Sequence, residues 1–324
     1  MTAGSLRATA VAHPNIALSK YWGKLPREGN YPAVPSLSVT LEGMSTRTTV
    51  AFEPDPGDDA LTLGGAPMVH GREKAVRLLS RVRRAAGLRG RAVVESANDF
   101  PTGSGLASSA SGFAALALAA SAAARLTLTP GEVSALAREA SASAARSVFG
   151  GFVELPLGAD GAAPFAPREA LPLVVLVCVA TEERKAVAST DGMLRTAAES
   201  PYYAAWLAHA PALHERLGEA LLRGDLSEVG ALAEQSALAM HASALAAGVV
   251  YFRGVTLDVL GEIHAMRRGG LEAYATIDAG PHVKVLARAS DRDAVRARVA
   301  AVPGVLRIIE TVPGDAARLV DGAP

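Results

Sequence analysis

The segment Asn98-Asp-Phe-Pro-Thr-Gly-Ser-Gly-Leu-Ala-Ser-Ser-Ala-Ser-Gly112 constrains the fold more than any other part of the chain. A turn-rich loop bearing hydroxyl groups runs directly into an alanine-rich helix. Pro101, Gly103 and Gly105 let the backbone turn tightly and come close to a ligand. The helix that follows starts with free N–H groups and the positive end of its dipole, which together make an anion site. Ser104, Ser108, Ser109 and Ser111 add hydroxyl donors around that end. A nucleoside triphosphate is the expected guest. The pattern is neither the Gly-x-x-x-x-Gly-Lys-Ser/Thr loop, because no lysine closes it, nor Gly-x-Gly-x-x-Gly. Taken alone, these residues also admit a second reading, a loop capping a buried helix.

Leu106 to Ala124 is a run of 19 uncharged residues, long enough to span a bilayer. Ala, Ser and Gly dominate it, which suits a tightly packed buried helix better than contact with lipid. Half of the residues are hydrophobic and a fifth are charged, so a packed core is feasible. Lys plus Arg and Asp plus Glu each number 32, a balance that argues against a nucleic-acid or membrane-surface protein. Cys178, alone in the apolar run Leu173 to Val179, excludes an intramolecular disulfide and reads as a core residue suited to a reducing cytosol. Met1 to Ala12 has neither the basic start nor the sustained apolar run of a secretory signal. The expectation is a cytoplasmic protein with no membrane and no nucleic-acid partner.

At 324 residues the chain suits two domains, and the Pro-rich stretch Leu155 to Pro172 places their boundary near residue 170, giving 1–170 and 171–324. The first half shows two strands around the Glu42-Gly43 turn and a hairpin turn at Gly64-Gly65. A helix follows over Gly71 to Ala86, with Ala75, Leu79, Val82 and Ala86 on one face, and then a strand over Arg91 to Ala97. Past the serine loop come two helices, the second opened by Thr129 as cap and Pro130 at its first position. The second half reads as strand Leu173–Ala180, helices around Tyr202–Leu222, Ser227–Ala242 and Thr256–Arg268, and strands Glu272–Ile277 and Val283–Ala287. Helix Asp291–Val299 and strand Gly304–Thr311 complete it. Without steady βαβ alternation the class is α+β.

Four more segments stand out: Asn15-Ile-Ala-Leu-Ser-Lys-Tyr-Trp-Gly-Lys24, Ser141-Ala-Ser-Ala-Ala-Arg-Ser-Val-Phe-Gly-Gly151, Lys185-Ala-Val-Ala-Ser-Thr-Asp-Gly-Met193 and Tyr274-Ala-Thr-Ile-Asp-Ala-Gly-Pro-His282. With the serine loop, in this order and spacing, they resemble the diphosphomevalonate decarboxylases of the GHMP kinase superfamily. The resemblance runs from about Ala8 to about Leu286. It implies a two-domain GHMP-type fold, with a ribosomal-S5-domain-2-like N-terminal domain, a ferredoxin-like C-terminal domain, and ligands between them. ATP as co-substrate, Mg²⁺ as cofactor, a small-molecule substrate and a homodimer are the accompanying expectations.

Carried over by position, the resemblance makes Asp278 the base or positioning group for a tertiary hydroxyl, with Lys20, Arg146 and Ser109 as its catalytic companions. On local sequence Asp278 also reads as a turn-forming aspartate before Ala279-Gly280-Pro281. Substrate contacts fall on Tyr21, Trp22, Gly23, Lys24, Lys74 and Thr190, and on Ser141, Ala142, Ser143, Ala144, Ala145 and Arg146. In that last cluster the hydroxyls, backbone N–H groups and guanidinium at the start of a helix meet one anion, and arginine can engage a carboxylate through two parallel hydrogen bonds. ATP contacts fall on Asn98, Pro101, Gly103, Ser104, Gly105, Leu106, Ala107, Ser108 and Ser109. The family's Ser-Gly-Ser-Ala-Cys-Arg stands here as Ser-Ala-Ser-Ala-Ala-Arg, and its Asn-Ser-Ser as Val34-Pro35-Ser36, which removes an amide and a hydroxyl near the substrate.

Lys74 also belongs to a stripe with Arg77, Arg81 and Arg84 that reads, by spacing, as a solvated helix face. His241 has no Cys, His or carboxylate cluster at ligand spacing, and no residue is assigned as a metal ligand. The activity implied is ATP-dependent decarboxylation of mevalonate 5-diphosphate to isopentenyl diphosphate, with ADP, phosphate and CO₂, in isoprenoid biosynthesis. Its rivals are a phosphomevalonate decarboxylase, a small-molecule kinase that stops after phosphorylation, and a nucleotide-binding pseudoenzyme.

Overall fold

In a computed structural model of the chain, residues 6–100, 108–183 and 185–321 are described. The first half carries strands β1 (Arg7–Ala12), β2 (Asn15–Ser19), β3 (Ser36–Thr40), β4 (Thr46–Glu53), β5 (Ala60–Leu63) and β6 (Ala66–Pro67). Helix α1 (Arg72–Ala86), strand β7 (Arg91–Asn98), helices α2 (Ser108–Ala123), α3 (Pro130–Ala140) and α4 (Ala142–Arg146), and strands β8 (Phe152–Leu155) and β9 (Ala163–Ala166) follow. The second half contains β10 (Leu173–Val179), α5 (Ser189–Glu199), α6 (Tyr203–Leu222), α7 (Leu226–Ala246) and α8 (Gly254–Arg268). It closes with β11 (Ala273–Ile277), β12 (Val283–Arg288), α9 (Arg292–Ala300), β13 (Arg307–Thr311) and β14 (Arg318–Val320). The result is an α+β, two-domain fold.

The alanine-rich run forms α2, and its small side chains explain its place. Ala114, Ala115, Ala117, Ala119, Ala120 and Ala123 are buried with Ala10, Ala12 and Val50 of β1 and β4. Side chains this small let the helix lie close on the sheet. Among the described residues no helix is long and apolar enough to cross a membrane. Helix α3 starts where capping predicts: Glu132 N–H donates to Thr129 Oγ1, and the Glu132 carboxylate accepts from the Thr129 N–H at 2.7 Å. At the β5–β6 hairpin Gly64 and Gly65 have φ of 60° and 78°, a left-handed pair that glycine adopts without strain.

Three sheets are present among the described residues. One runs β14-β1-β4-β7-β5-β6, the second β11-β12-β10-β13, and the third β2-β3-β8-β9. The strands either side of Glu42-Gly43 therefore do not pair with each other: β3 joins the third sheet and β4 the first. The stretch from Leu155 to Pro172, read as loop, contains β9. The third sheet packs under the second half, where Ile16, Leu37, Val39 and Phe152 share one core with Leu213 and Leu217 of α6 and Val229 and Leu232 of α7. The chain end returns to the first sheet, since β14 pairs with β1. These packings place the end of β2 beside the end of β11.

Candidate active site

Asp278 follows β11, whose five residues are all buried. A tight turn, with Gly280 N–H donating to Asp278 O at 2.7 Å, stops the strand there. The carboxylate meets two lysines. Lys20 Nζ lies 2.7 Å from Oδ1 and Lys284 Nζ 3.2 Å from Oδ2. Burial pushes the Asp278 pKa up, but the two ammonium groups outweigh it and hold the carboxyl well below the usual carboxylate range. Lys20 also donates to Ala17 O at 2.8 Å, and its backbone N–H donates to Ser236 Oγ at 2.9 Å. Burial lowers the Lys20 pKa to about 8 despite the opposing pull of Asp278.

Arg146 is the last residue of α4, a single turn opened by Ser141, rather than a helix-start residue. Its side chain is buried, with Nη1 donating to Ser36 Oγ at 2.7 Å and Nε to Asn15 Oδ1 at 3.4 Å. Asn15 in turn donates to Ser143 O and Ser147 Oγ, at 2.9 and 2.7 Å. Ser36 is thus the hydroxyl of the altered Val34-Pro35-Ser36 segment that matters to the guanidinium. Burial pushes the Arg146 pKa down to about 10, against the pull of Asp278. Among the described residues Arg146 has no carboxylate within salt-bridge distance, and a buried guanidinium of that kind is set to receive an anion.

A second group of cations borders the first. Lys24 Nζ donates to Asn30 Oδ1 at 2.7 Å and Thr190 Oγ1 at 3.1 Å. Burial, then the charge of Lys74, lowers its pKa to about 8, while Asp191 opposes. Lys74 is lowered by burial and by Arg77. Lys185 Nζ donates to Ser189 Oγ at 2.7 Å and to Ala279 O at 3.2 Å, and it too is lowered, first by burial and also by Lys284 and Lys74. Ser141 and Ser143 face each other with hydroxyls 3.0 Å apart. The basic stripe of α1 therefore divides. Arg77 pairs with Glu73 and Arg81 with Glu139 on the surface, whereas Lys74 faces the lysine cluster.

The other site expectations fall as follows. Tyr21 is part-buried beside Arg146, its hydroxyl pKa pushed up mainly by burial. Trp22 is 1% exposed, its indole in a core with Met193, Met240 and Tyr251. Gly23 has φ 123°, and a Cβ there would stand 2.3 Å from the Tyr203 hydroxyl, so only glycine fits. Ala142, Ala144 and Ala145 are buried, their side chains in packing rather than facing solvent. Asn98 ends β7 and accepts from Thr46 Oγ1 at 2.7 Å, while Thr46 lies 2.6 Å from Ser111 Oγ. Ser108 and Ser109 form the first residues of α2, half-buried and exposed respectively. Pro101, Gly103, Ser104, Gly105, Leu106 and Ala107 lie outside the described residues. His241 is a neutral core residue 4.4 Å from the Phe252 ring, its pKa pushed to about 3 by burial and then by Lys20.

Sequence reasoning gave no role to Lys284, Asn15, Asn30 or Lys185. Lys284 carried a signal: it is the one charge within the apolar run Val283-Lys-Val-Leu-Ala287, and it is only 2% exposed. A lone buried ammonium costs several kcal/mol by order of magnitude unless paired, so it demands a partner such as Asp278. Among the described residues no group of three or more His, Cys, Asp or Glu side chains could hold a metal.

Comparison with known proteins locates two matching family models. Residues 12–166 match the diphosphomevalonate decarboxylase-like N-terminal domain and residues 175–313 the mevalonate 5-diphosphate decarboxylase C-terminal domain. The chain is 35% identical over 299 residues to the phosphomevalonate decarboxylase of Haloferax volcanii, covering 91% of this chain and 92% of that one. It is 35% identical over 312 residues to the diphosphomevalonate decarboxylase of Ganoderma lucidum, covering 86% of this chain and 78% of that one. A solved structure of MDDEF in complex with MVAPP, AMPPCP and magnesium superposes with a TM-score of 0.91 at 35% identity, covering 98% of this chain and 100% of that one.

Proposed function

The chain belongs to the diphosphomevalonate decarboxylase family, and from that premise we propose that it catalyses ATP-dependent decarboxylation of mevalonate 5-diphosphate. The observation that carries the reading is Asp278 held between Lys20 and Lys284, with Lys185 close by. ATP and Mg²⁺ are its co-substrate and cofactor. The small-molecule substrate enters the lysine-lined cleft.

Decarboxylation alone would leave an electron pair on a carbon with no sink. Converting the tertiary hydroxyl into a phosphate ester provides one. The hydroxyl oxygen attacks the γ-phosphorus of ATP and ADP leaves. The C–O bond to phosphate then breaks, and the electrons of the C–C bond to the carboxylate become the new double bond as CO₂ departs. Bound magnesium neutralises charge on the nucleotide phosphates.

Asp278 is held anionic far from neutral pH, so its first task is to accept a hydrogen bond from the hydroxyl and aim it. A loose phosphoryl-transfer transition state needs little early proton removal, and the proton passes to Asp278 as the new P–O bond completes. Lys20 neutralises the departing phosphate and Arg146 orients the carboxylate, both from fixed positions that need no reorganisation. Lys24, Lys74, Thr190, Ser141 and Ser143 take the diphosphate. Asn98, Ser108 and Ser109, with the loop between β7 and α2, take ATP, Ser109 beside the transferring phosphoryl.

The same reading includes two domains, 1–170 and 171–324, and a cytoplasmic homodimer. Sedimentation equilibrium tests the assembly. A monophosphate substrate is the second reading, favoured by the likeness to the Haloferax phosphomevalonate decarboxylase. Following ADP and CO₂ separately with ATP and mevalonate diphosphate tests the activity. Equal amounts of both support it, ADP without CO₂ marks a kinase, and neither product with nucleotide bound marks a pseudoenzyme.

A further inference from the structure

The residue ahead of Lys20 begins a buried hydrogen-bond chain that the reaction above leaves unused. Ser19 Oγ lies 2.9 Å from His214 Nδ1, and His214 Nε2 lies 2.9 Å from Glu154 Oε1. Ser19 and His214 are 2% and 6% exposed. The Glu154 side chain, 29% exposed, opens on a cavity lined also by Leu157, Phe165 and Pro211. Leu37 N–H donates to Ser19 Oγ at 2.7 Å. The ionised Glu154 carboxylate only accepts, so Nε2–H of His214 donates to it, and the neutral imidazole then takes the serine proton at Nδ1. The chain is therefore directional.

It holds a bulge. In the β2–β3 ladder Ala17 stands opposite Ser38 and Ser19 opposite Leu37, so Leu18 is an extra residue. The Ser19 hydroxyl takes the Leu37 amide hydrogen. Ala17 O accepts from Lys20 Nζ at 2.8 Å and Thr276 Oγ1 at 2.9 Å. The same bulge thus supplies the ammonium's backbone acceptor and sets its approach to Asp278.

We propose that Ser19, His214 and Glu154 form a positioning relay for Lys20, an assignment that rests on the decarboxylase reading for its kinetic consequence. Ser19→Ala lowers kcat about tenfold or more while KM for mevalonate diphosphate stays within about threefold, because misplacing a group that acts in the transition state spares ground-state binding. At the partly exposed end, Glu154→Gln keeps an acceptor for Nε2–H and retains wild-type kcat, whereas Glu154→Leu removes it and lowers kcat. A readout without turnover is the ¹³Cε titration of Lys20, assigned by comparison with Lys20→Arg. Its midpoint shifts by about half a pH unit or more in Ser19→Ala, since distance to Asp278 and Ala17 O sets it. Unchanged kcat with an unchanged Lys20 titration, or an effect confined to KM or to melting temperature, overturns the relay. If the wild-type protein releases no CO₂, the decarboxylase reading fails while the titration still decides the relay.

Discussion

Lys20 Nζ lies 2.7 Å from Asp278 Oδ1, although the two residues are 258 positions apart in the chain. The contact joins the end of a strand in the third sheet to the end of one in the second. It fixes the charge state of both partners, and the first predictions concern that.

Asp278→Asn is close to isosteric but leaves Lys20 and Lys284 without a counter-charge and cannot take a proton. Turnover falls by about 10²–10⁴-fold, the range of general acid–base contributions, while ATP binding is retained. Single-turnover ADP and CO₂ formation, with equilibrium nucleotide binding, checks this. Retention of more than about a tenth of normal turnover is the contrary result.

The pKa of Lys20, brought down to about 8 by burial, predicts a basic limb. If the ammonium acts in its charged form, kcat/KM declines as pH rises through about 8. Bound substrate phosphates favour the charged form, so the limb of kcat lies at higher pH than that of kcat/KM. For stability the sign is opposite to that of a lysine whose pKa folding raises. The folded pKa lies below the unfolded one, so charged Lys20 opposes folding below about 8, and that penalty fades as pH climbs toward 10.5. Lys24 titrates in the same range, so the limb must persist in Lys24→Gln. A flat kcat/KM between neutrality and pH 10 contradicts the assignment.

Lys284→Met keeps the volume of the buried chain and removes one of the two charges that hold Asp278 down. The Asp278 pKa rises toward the usual carboxylate range, and kcat/KM falls off on the acid side at higher pH than in the parent enzyme. An acid limb that does not move means that Lys284 shapes the strand only.

Arg146→Lys keeps the charge but loses the planar fork that reaches Ser36 and Asn15. Turnover falls more than substrate affinity, because Ser141 and Ser143, the proposed diphosphate contacts, are untouched. Steady-state kinetics showing only a raised KM would falsify the carboxylate-orienting role.

Lys24, Lys74, Thr190, Ser141 and Ser143 offer more donors than one phosphate needs. A donor that loses its phosphate partner in the enclosed complex is penalised by about 1–3 kcal/mol, which gives roughly tenfold to hundredfold preference for the diphosphate. Competition between mevalonate 5-phosphate and its diphosphate measures the ratio of specificity constants. Parity, or preference for the monophosphate, moves the chain to the second reading with its decarboxylation chemistry intact.

Local patterns made several elements legible before any coordinates. The Thr129-Pro130 start of α3, the apolar face of α1, the Gly64-Gly65 turn and the strand Leu173–Val179 follow from capping, periodicity and turn chemistry, all short-range effects. β1, β2 and β8 were not legible, because buried short strands without alternation lack a periodic signal. The structure also separated residues that local spacing treats alike. Lys74 and Arg77 share one helix stripe, yet one lies near Lys24 and the other pairs with Glu73 on the surface.

The sequence by itself determined the family, the α+β class and the residue types around the reaction, because motifs and helix signals are encoded over a few neighbouring positions. Tertiary structure alone decided that Lys284 completes the clamp on Asp278, that Ser36 and Asn15 anchor Arg146, and that His214 reaches Ser19 across 195 positions. Those relationships depend on which sheet edge meets which helix, and long-range packing leaves no local spacing by which to read them.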